Sequence, residues 1–317
     1  MLIKWIGERM RWKKIVASSL LLLVCMSIVA FLSSQRQLHE EIIFPLAGSH
    51  GENIYLSCEL PETPDKILRL QVVEHDVAQV DVERIAEEIF GFTGGSFHDV
   101  PEEGCTVLST PLHILQVYRN GAISYSIDEA PWGVPEENFL SYELVREISE
   151  NIMGKLEALG QVPGNIQIKY RSIGPSSWLL REENGKEVRY LCTLGAEYDL
   201  YFGTLQLYGL GAKVNVNVTA DGEIEHFTGF WKDVEAVGEI PITVTPRQAL
   251  EKLASQGYGS VDAGPGLENV IIKDMMLGYY VGPVFEGENY LQPAYLFNML
   301  FEGRGWSENH IVPISAI

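Results

Sequence analysis

The seven histidines, His39, His50, His75, His98, His113, His226 and His310, are the side chains best suited to metal ligation or proton transfer near neutral pH. Their spacing supports neither role. None stands three or four residues from another, so no helical turn presents two of them together. His75-Asp76, His98-Asp99 and Glu225-His226 are adjacent pairs, and adjacent residues of a strand point to opposite faces. The cysteines Cys58, Cys105 and Cys192 lie far apart, with no C-x-x-C spacing for zinc, and no pairing among them follows from their positions. Nucleophilic catalysis has no local signature either. There is no G-x-S-x-G elbow, and Gly174-Pro175-Ser176-Ser177 reads as a turn. Phe92-Thr93-Gly94-Gly95-Ser96 is glycine-rich but lacks the lysine of a phosphate-binding loop.

Carboxylate pairs such as Glu87-Glu88 and Glu102-Glu103 are expected of a chain with 43 acidic residues, and read as solvated surface. No Asp-x-Asp-x-Asp-Gly loop is present for calcium. Asn217-Val218-Thr219 fits a glycosylation sequon, but the alternation of Val214, Val216 and Val218 puts it inside a strand. No catalytic residue, metal ligand or cofactor site is therefore assigned. A hydrolase site assembled from distant acids and His113, His226 or His310 remains the alternative. The aromatic residues of the last hundred positions are a further feature. Among them Phe230, Trp231, Tyr280, Tyr290 and Trp306 are the candidates for a ligand or partner groove, against a plain role in the core.

Where such a chain works is written in its first residues. Met1–Lys14 is basic, Ile15–Leu32 carries no charge over eighteen residues, and Arg36 closes the run. At 1.5 Å per residue the segment between Lys14 and Arg36 can span a hydrocarbon core of roughly 30 Å. The basic flank predicts a cytoplasmic N-terminus and an extracytoplasmic C-terminal body at the plasma membrane. Cleavage after Ser33 or Ser34 would place Phe31 or Leu32 where a small residue is needed, so the segment reads as an uncleaved single-pass anchor. The first thirty-six residues hold six bases and one acid, a net of +5, which leaves 17 bases and 42 acids, a net of −25, for the rest. Such a body repels phosphate backbones, which argues against a nucleic-acid partner. At 46 % hydrophobic and 10 % aromatic residues the chain has ample material for a core.

The periodicity beyond the anchor predicts an α+β body. Residues 33–65 form a polar, proline-containing stalk and lead-in. Residues 66–210 make a first α+β unit, with a helix beginning at Asp81 and a longer one from Phe139 to Leu159. The stripe Leu140, Leu144, Ile148, Ile152, Leu156 and Leu159 should bury the longer helix against a sheet. Residues 211–317 make a second unit around a helix from Pro246 to Gln256, with Leu250 and Leu253 inward. Thr245 and Gln248 supply its capping box and Gly257 its stop. Asn120-Gly121, Asn184-Gly185 and Asp221-Gly222 predict hairpins. Further strands are expected at 166–170, 178–181, 188–193, 198–208, 276–281, 290–300 and 310–314. Val216, Val218, Tyr279, Val281, Leu291, Tyr295 and Phe297 should converge beneath the second helix. Pro293 should mark an edge or a bulge. Hairpins serving one helix each imply antiparallel sheets, not the alternating βαβ of a nucleotide-binding fold.

The run Leu277-Gly278-Tyr279-Tyr280, then Tyr290-Leu291-Gln292-Pro293-Ala294-Tyr295 and the closing Val312-Pro313, resembles the C-terminal part of the YycH/YycI family. The hairpin Val214–Trp231 and the helix after Thr245 precede it in that family's order, and the basic head and single anchor are also similar. The resemblance implies a non-enzymatic, membrane-anchored accessory protein that regulates a membrane sensor histidine kinase of a two-component system. It carries over no catalytic residue and covers only the last hundred residues. A cell-envelope ligand-binding module using the C-terminal aromatics is the remaining alternative.

Overall fold

The computed structural model describes residues 53–128, 133–181, 187–256, 266–285 and 288–317. The basic head, the apolar run 15–32 and most of the stalk lie outside them. Among the described residues no helix is long and apolar enough to cross a membrane.

The architecture is α+β, with few helices and one dominant mixed sheet. The strands are β1 (Asn53–Leu56), β2 (Lys66–Val72), β3 (Ser96–Val100), β4 (Cys105–Ser109), β5 (His113–Tyr118), β6 (Ile123–Ile127), β7 (Val134–Pro135) and β8 (Ile166–Arg181). They continue as β9 (Glu187–Phe202), β10 (Leu205–Tyr208), β11 (Lys213–Val218), β12 (Ile224–Phe230), β13 (Val234–Pro241), β14 (Leu267–Tyr280), β15 (Gln292–Gly303) and β16 (Trp306–Ser315). The helices are α1 (Gln79–Glu88), α2 (Tyr142–Ala158) and α3 (Pro246–Gln256).

The chain divides into two compact units. The larger comprises residues 61–252, 276–296 and 313–317. Its sheet runs β14-β10-β9-β11-β12-β6-β5-β4-β3, with β7 and β8 also on β9, and β2 pairs with β13 in a separate ribbon. Most pairs are antiparallel, but β10 runs parallel to β14. The described part of the smaller unit comprises residues 53–60, 266–275 and 297–312, together with 253–256 of α3. There β1 also runs parallel to β14, Asn53 opposite Asn269 and Leu56 opposite Ile272. A wholly antiparallel pair of sheets was expected. The parallel contacts form because β14 returns from a distant part of the chain, where no hairpin fixes its direction.

The hairpins at Asn120-Gly121 and Asp221-Gly222 form as expected. Gly121 and Gly222 adopt φ of 87° and 88°, the left-handed conformation such turns require. The Asn184-Gly185 turn falls outside the described residues, although β8 and β9 on either side pair antiparallel. Two expected strand pairs fuse into the sixteen-residue β8 and β9. Gly174-Pro175-Ser176-Ser177, expected as a turn, lies within β8. Register shifts at Tyr170/Ser172 and Ser176/Ser177 absorb the irregularity, and Pro175 opposite Leu194 sits on a strand whose named pairing is with β9 alone.

Helix α1 starts two residues before Asp81, with Ala78 at its N-cap and Asp81 in its first turn. Helix α2 is capped by Ser141, whose side chain accepts from the Leu144 backbone N–H. Its buried edge is Val145, Ser149, Ile152, Met153 and Leu156, while Leu144 is 42 % exposed and Ile148 only half-buried. From Leu140 to Leu156 the expected stripe steps by four residues each time. Each step advances about 400°, so the series drifts roughly 40° per step, and Leu144 rotates off the core while Leu140, before the helix, and Ile148 stay packed at its margin. Ser149 fits there because its hydroxyl donates to the Arg146 carbonyl at 2.8 Å and meets the Tyr198 hydroxyl at 2.7 Å.

The N-terminus of helix α3 follows the expected punctuation, and its expected stop, Gly257, lies outside the described residues. The Gln248 N–H donates to Thr245 Oγ1 at 3.3 Å, and Gln248 Oε1 accepts from the Thr245 N–H at 2.8 Å. Leu250 and Leu253 are buried. Thr245→Ala removes an orphan-donor partner and should cost about 1 kcal/mol in urea unfolding. An unchanged midpoint would show that the cap is redundant.

Val216, Val218, Tyr279, Val281, Leu291, Tyr295 and Phe297 are all buried, but they do not share α3 as their cover. The first five belong to one core with Ile85 of α1 and Val145 and Leu156 of α2. Strand β11 lies at the centre of the sheet between β9 and β12, where α2 crosses it, so sequence proximity to α3 is irrelevant. Strand β15 is internal, between β14 and β16. Pro293 is tolerated there as its second residue, and its carbonyl accepts from the Ala316 N–H at 2.9 Å.

Candidate functional site

The sheet of the larger unit has two unlike faces. On one, the cross-strand row Leu115, Tyr125, Phe227, Val216, Ala196 is buried beneath α1 and α2. On the other, the neighbouring row reads His98, Val107, Gln116, Ser124, Thr228, Asn215, Glu197, Ser172. A second row beside it reads Ile114, Ser126, His226, Asn217, Gly195. The strict alternation of β11, valines to one side and Asn215 and Asn217 to the other, is the local cause.

The middle of this second face is a tract of short polar side chains, half-buried apart from the buried Thr228. His226 Nε2 lies 2.8 Å from Thr228 Oγ1. Asn215 and Asn217 lean over Gly195, whose missing side chain makes the room. A Cβ there would come within 2.5 Å of Asn217 Oδ1. Asn215 Oδ1 is buried without a hydrogen-bonding partner. At the tract's margin Arg171 donates to Glu197 and lies 3.5 Å from Asp199. Lys213 stands on the same side of β11 as Asn215 and Asn217, so charges of both signs border the tract.

Burial pushes the imidazolium pKa of His226 below its ordinary value, with Glu225 opposing and Lys213 adding to the shift. A depressed folded value means that the unfolded chain binds the proton more readily. The stability His226 contributes is present above its ordinary pKa near 6.5 and is lost as pH falls through the depressed value. His226→Gln should flatten the acid-side decline of the urea midpoint. An unaltered profile would place that decline elsewhere.

Next to the tract lies a small apolar cluster of Cys105, Tyr118, Ala122 and Val284, with Phe230 set edge-on to Tyr118 at 6.2 Å. Asn120 ties the 281–285 segment down by donating to the Val284 carbonyl at 2.8 Å. The same segment is held by Lys232, whose buried ammonium lies 3.1 Å from Glu288 Oε2, while that oxygen also accepts from the Gly282 N–H at 3.0 Å. Burial pushes the Cys105 thiol up to about 11, aided by Glu103, Asp99 and Glu102, and it stays protonated at neutral pH. Cys58 is likewise pushed up to about 11 by burial and Asp274, so neither thiol is a ready nucleophile.

The aromatic candidates are dispersed. Trp231 is fully buried in the core, with its Nε1 unpartnered. Phe230 belongs to the small apolar cluster, Tyr280 lies over Gly209, and Tyr290 stacks beneath the Arg69 guanidinium at 3.9 Å. Trp306, in the smaller unit, lies against Gly303. The histidines are equally separate. His113 stacks on Phe92 and bonds the Tyr125 hydroxyl on the helix-covered side, His226 faces the polar tract, and His310 of the smaller unit bonds Glu308. Among the described residues no group of three or more His, Cys, Asp or Glu side chains could hold a metal ion.

The polar tract was not foreseen. Its signal was present in Lys213–Val218, where valine alternates with asparagine, but only the register of five strands assembles it.

No family model matches the chain, and no curated protein does. Among solved structures the chain is similar to an uncharacterized protein from Eubacterium rectale. That similarity has a TM-score of 0.46 at 10 % identity and covers 90 % of this chain and 96 % of that one.

Proposed function

We propose that the chain is a membrane-anchored extracytoplasmic regulatory or binding protein that acts by contact and not by catalysis. The observation that carries this reading is the uncharged run 15–32, with a basic flank before it and a body of net charge −25 after it. In this reading residues 15–32 form the single transmembrane helix, the N-terminus is cytoplasmic, and the body works outside the plasma membrane. The resemblance of the C-terminal hundred residues to YycH/YycI proteins suggests a membrane sensor kinase as partner. Regulation then requires that the anchor and body bind one state of that partner more tightly than the other.

The test is mild cross-linking in intact cells, followed by detergent extraction and identification of the adducts. A sensor kinase or another single-pass membrane protein is expected, and it should vanish when the order of residues 15–32 is scrambled without changing their composition. Recovery of no membrane protein, or of the same adduct from the scrambled chain, would overturn the reading.

A further inference from the structure

Strands β10 and β14 run parallel, with Tyr208 opposite Tyr280, so the turns that follow them leave the sheet of the larger unit at the same end. The first turn, residues 209–212, is closed by the Ala212 N–H donating to the Gly209 carbonyl at 3.1 Å. The second, residues 281–285, is stapled to it. The Val281 N–H donates to the Tyr208 carbonyl at 2.8 Å, and the Val281 carbonyl accepts from the Gly211 N–H at 3.2 Å. A Cβ on Gly209 would strike the Val281 carbonyl oxygen, and one on Gly211 that of Gly282. Asn120 fixes the second turn further by donating to the Val284 carbonyl at 2.8 Å. This braced pair of turns holds two large apolar side chains out in solvent, Leu210 at 65 % and Phe285 at 58 % exposure. Small and polar residues are the usual occupants of such positions.

Charge narrows what such tips enter. Residues 205–212 and 275–285 carry no charge, in a chain of which 21 % is charged. Arg171, whose field reaches Tyr208, is held by Glu197 and Asp199, and Glu288 beyond the second turn is held by Lys232. A protein interface is ringed by a polar rim that fixes its register, whereas a lipid phase needs none. Leucine and phenylalanine suit the acyl region. Tyr208 and Tyr280, half-buried at the strand ends, combine an apolar ring with a polar hydroxyl and suit the head-group level. The choice of partner rests on the anchoring of residues 15–32, which keeps a bilayer within reach of the body. We propose that Leu210 and Phe285 insert into the outer leaflet and hold the larger unit against the membrane. Glu286, next after Phe285, and the body's net charge of −25 set a preference for neutral over anionic head groups.

The test uses the full chain in phosphatidylcholine vesicles, with the photo-crosslinker p-benzoylphenylalanine replacing Leu210, Phe285 or, as a control, Val237. Val237 is an exposed apolar residue of the separate β2–β13 ribbon. Mass spectrometry identifies the adducts, and a carbonate wash of the same vesicles reports separately on residues 15–32. Lipid adducts are expected from positions 210 and 285 and not from 237. Leu210→Ser, in the chain that crosslinks from 285, should lower the adduct yield about tenfold while leaving the melting temperature near that of the parent. Replacing half of the lipid by phosphatidylglycerol should lower it too. A chain that resists carbonate but gives no lipid adduct from either tip overturns the proposal and leaves the anchor standing. Adducts on a chain that the wash removes uphold the insertion and overturn the anchor, and a chain showing neither overturns both. Equal adducts from position 237, or protein in place of lipid at both tips in intact cells, would also overturn the proposal.

Discussion

Replacing Glu288 by alanine is expected to destabilise the protein by about 3–5 kcal/mol, because it strands a buried ammonium. The Lys232 side chain is 1 % exposed and its charge is met by Glu288 at 3.1 Å. That carboxylate also holds the Gly282 N–H, so one substitution removes two partners. Urea unfolding followed by circular dichroism measures the loss. The double variant Lys232→Met, Glu288→Leu should recover most of it, since an apolar pair of similar volume needs no compensation for desolvated charge. A Glu288→Ala midpoint within about 1 kcal/mol of the parent would mean that Lys232 reaches water by rearrangement, and the clamp on the 281–285 segment would then be dispensable.

Tyr295→Ala should cost a similar amount, about 3–5 kcal/mol, for a different reason. Its ring is fully buried, so truncation loses transfer energy and leaves a cavity. Its hydroxyl donates to the Val244 carbonyl at 2.8 Å and meets Thr63 Oγ1 at 3.0 Å. Tyr295→Phe keeps the ring and gives up those bonds, with an expected loss of about 1 kcal/mol. Comparing the two variants separates packing from hydrogen bonding. A Tyr295→Ala protein that stays as stable as the parent but loses binding would show that this ring serves a site and not the core.

The Asn120-Gly121 and Asp221-Gly222 turns and the Thr245 capping box are local devices, each decided by a few adjacent residues, and they form as expected. Leu144 of α2 is exposed where the stripe predicts burial, because a four-residue repeat drifts around a helix of 3.6 residues per turn. Val216 and Val218 pack with α2 and not with the neighbouring α3, since which helix lies over a central strand depends on strand order across the whole sheet. That order arises from pairings between residues as distant as Leu207 and Tyr279. The polar tract shares this origin. Gln116 and Ser126 are unremarkable one by one and stand about a hundred residues from Asn217 and His226, and only registry makes the two pairs neighbours. The Lys232–Glu288 pair is equally non-local, and nothing beside Lys232 in sequence marks it as buried.

The account rests most heavily on residues 15–32 as an anchor with the body outside. Protease treatment of intact cells, with the chain detected by tags at both ends, tests it most directly. The account predicts that the full-length chain fractionates with membranes and that external protease removes the C-terminal tag while the N-terminal tag stays protected. A chain that fractionates with the cytosol, or whose C-terminal tag is protected until the cells are lysed, would contradict it.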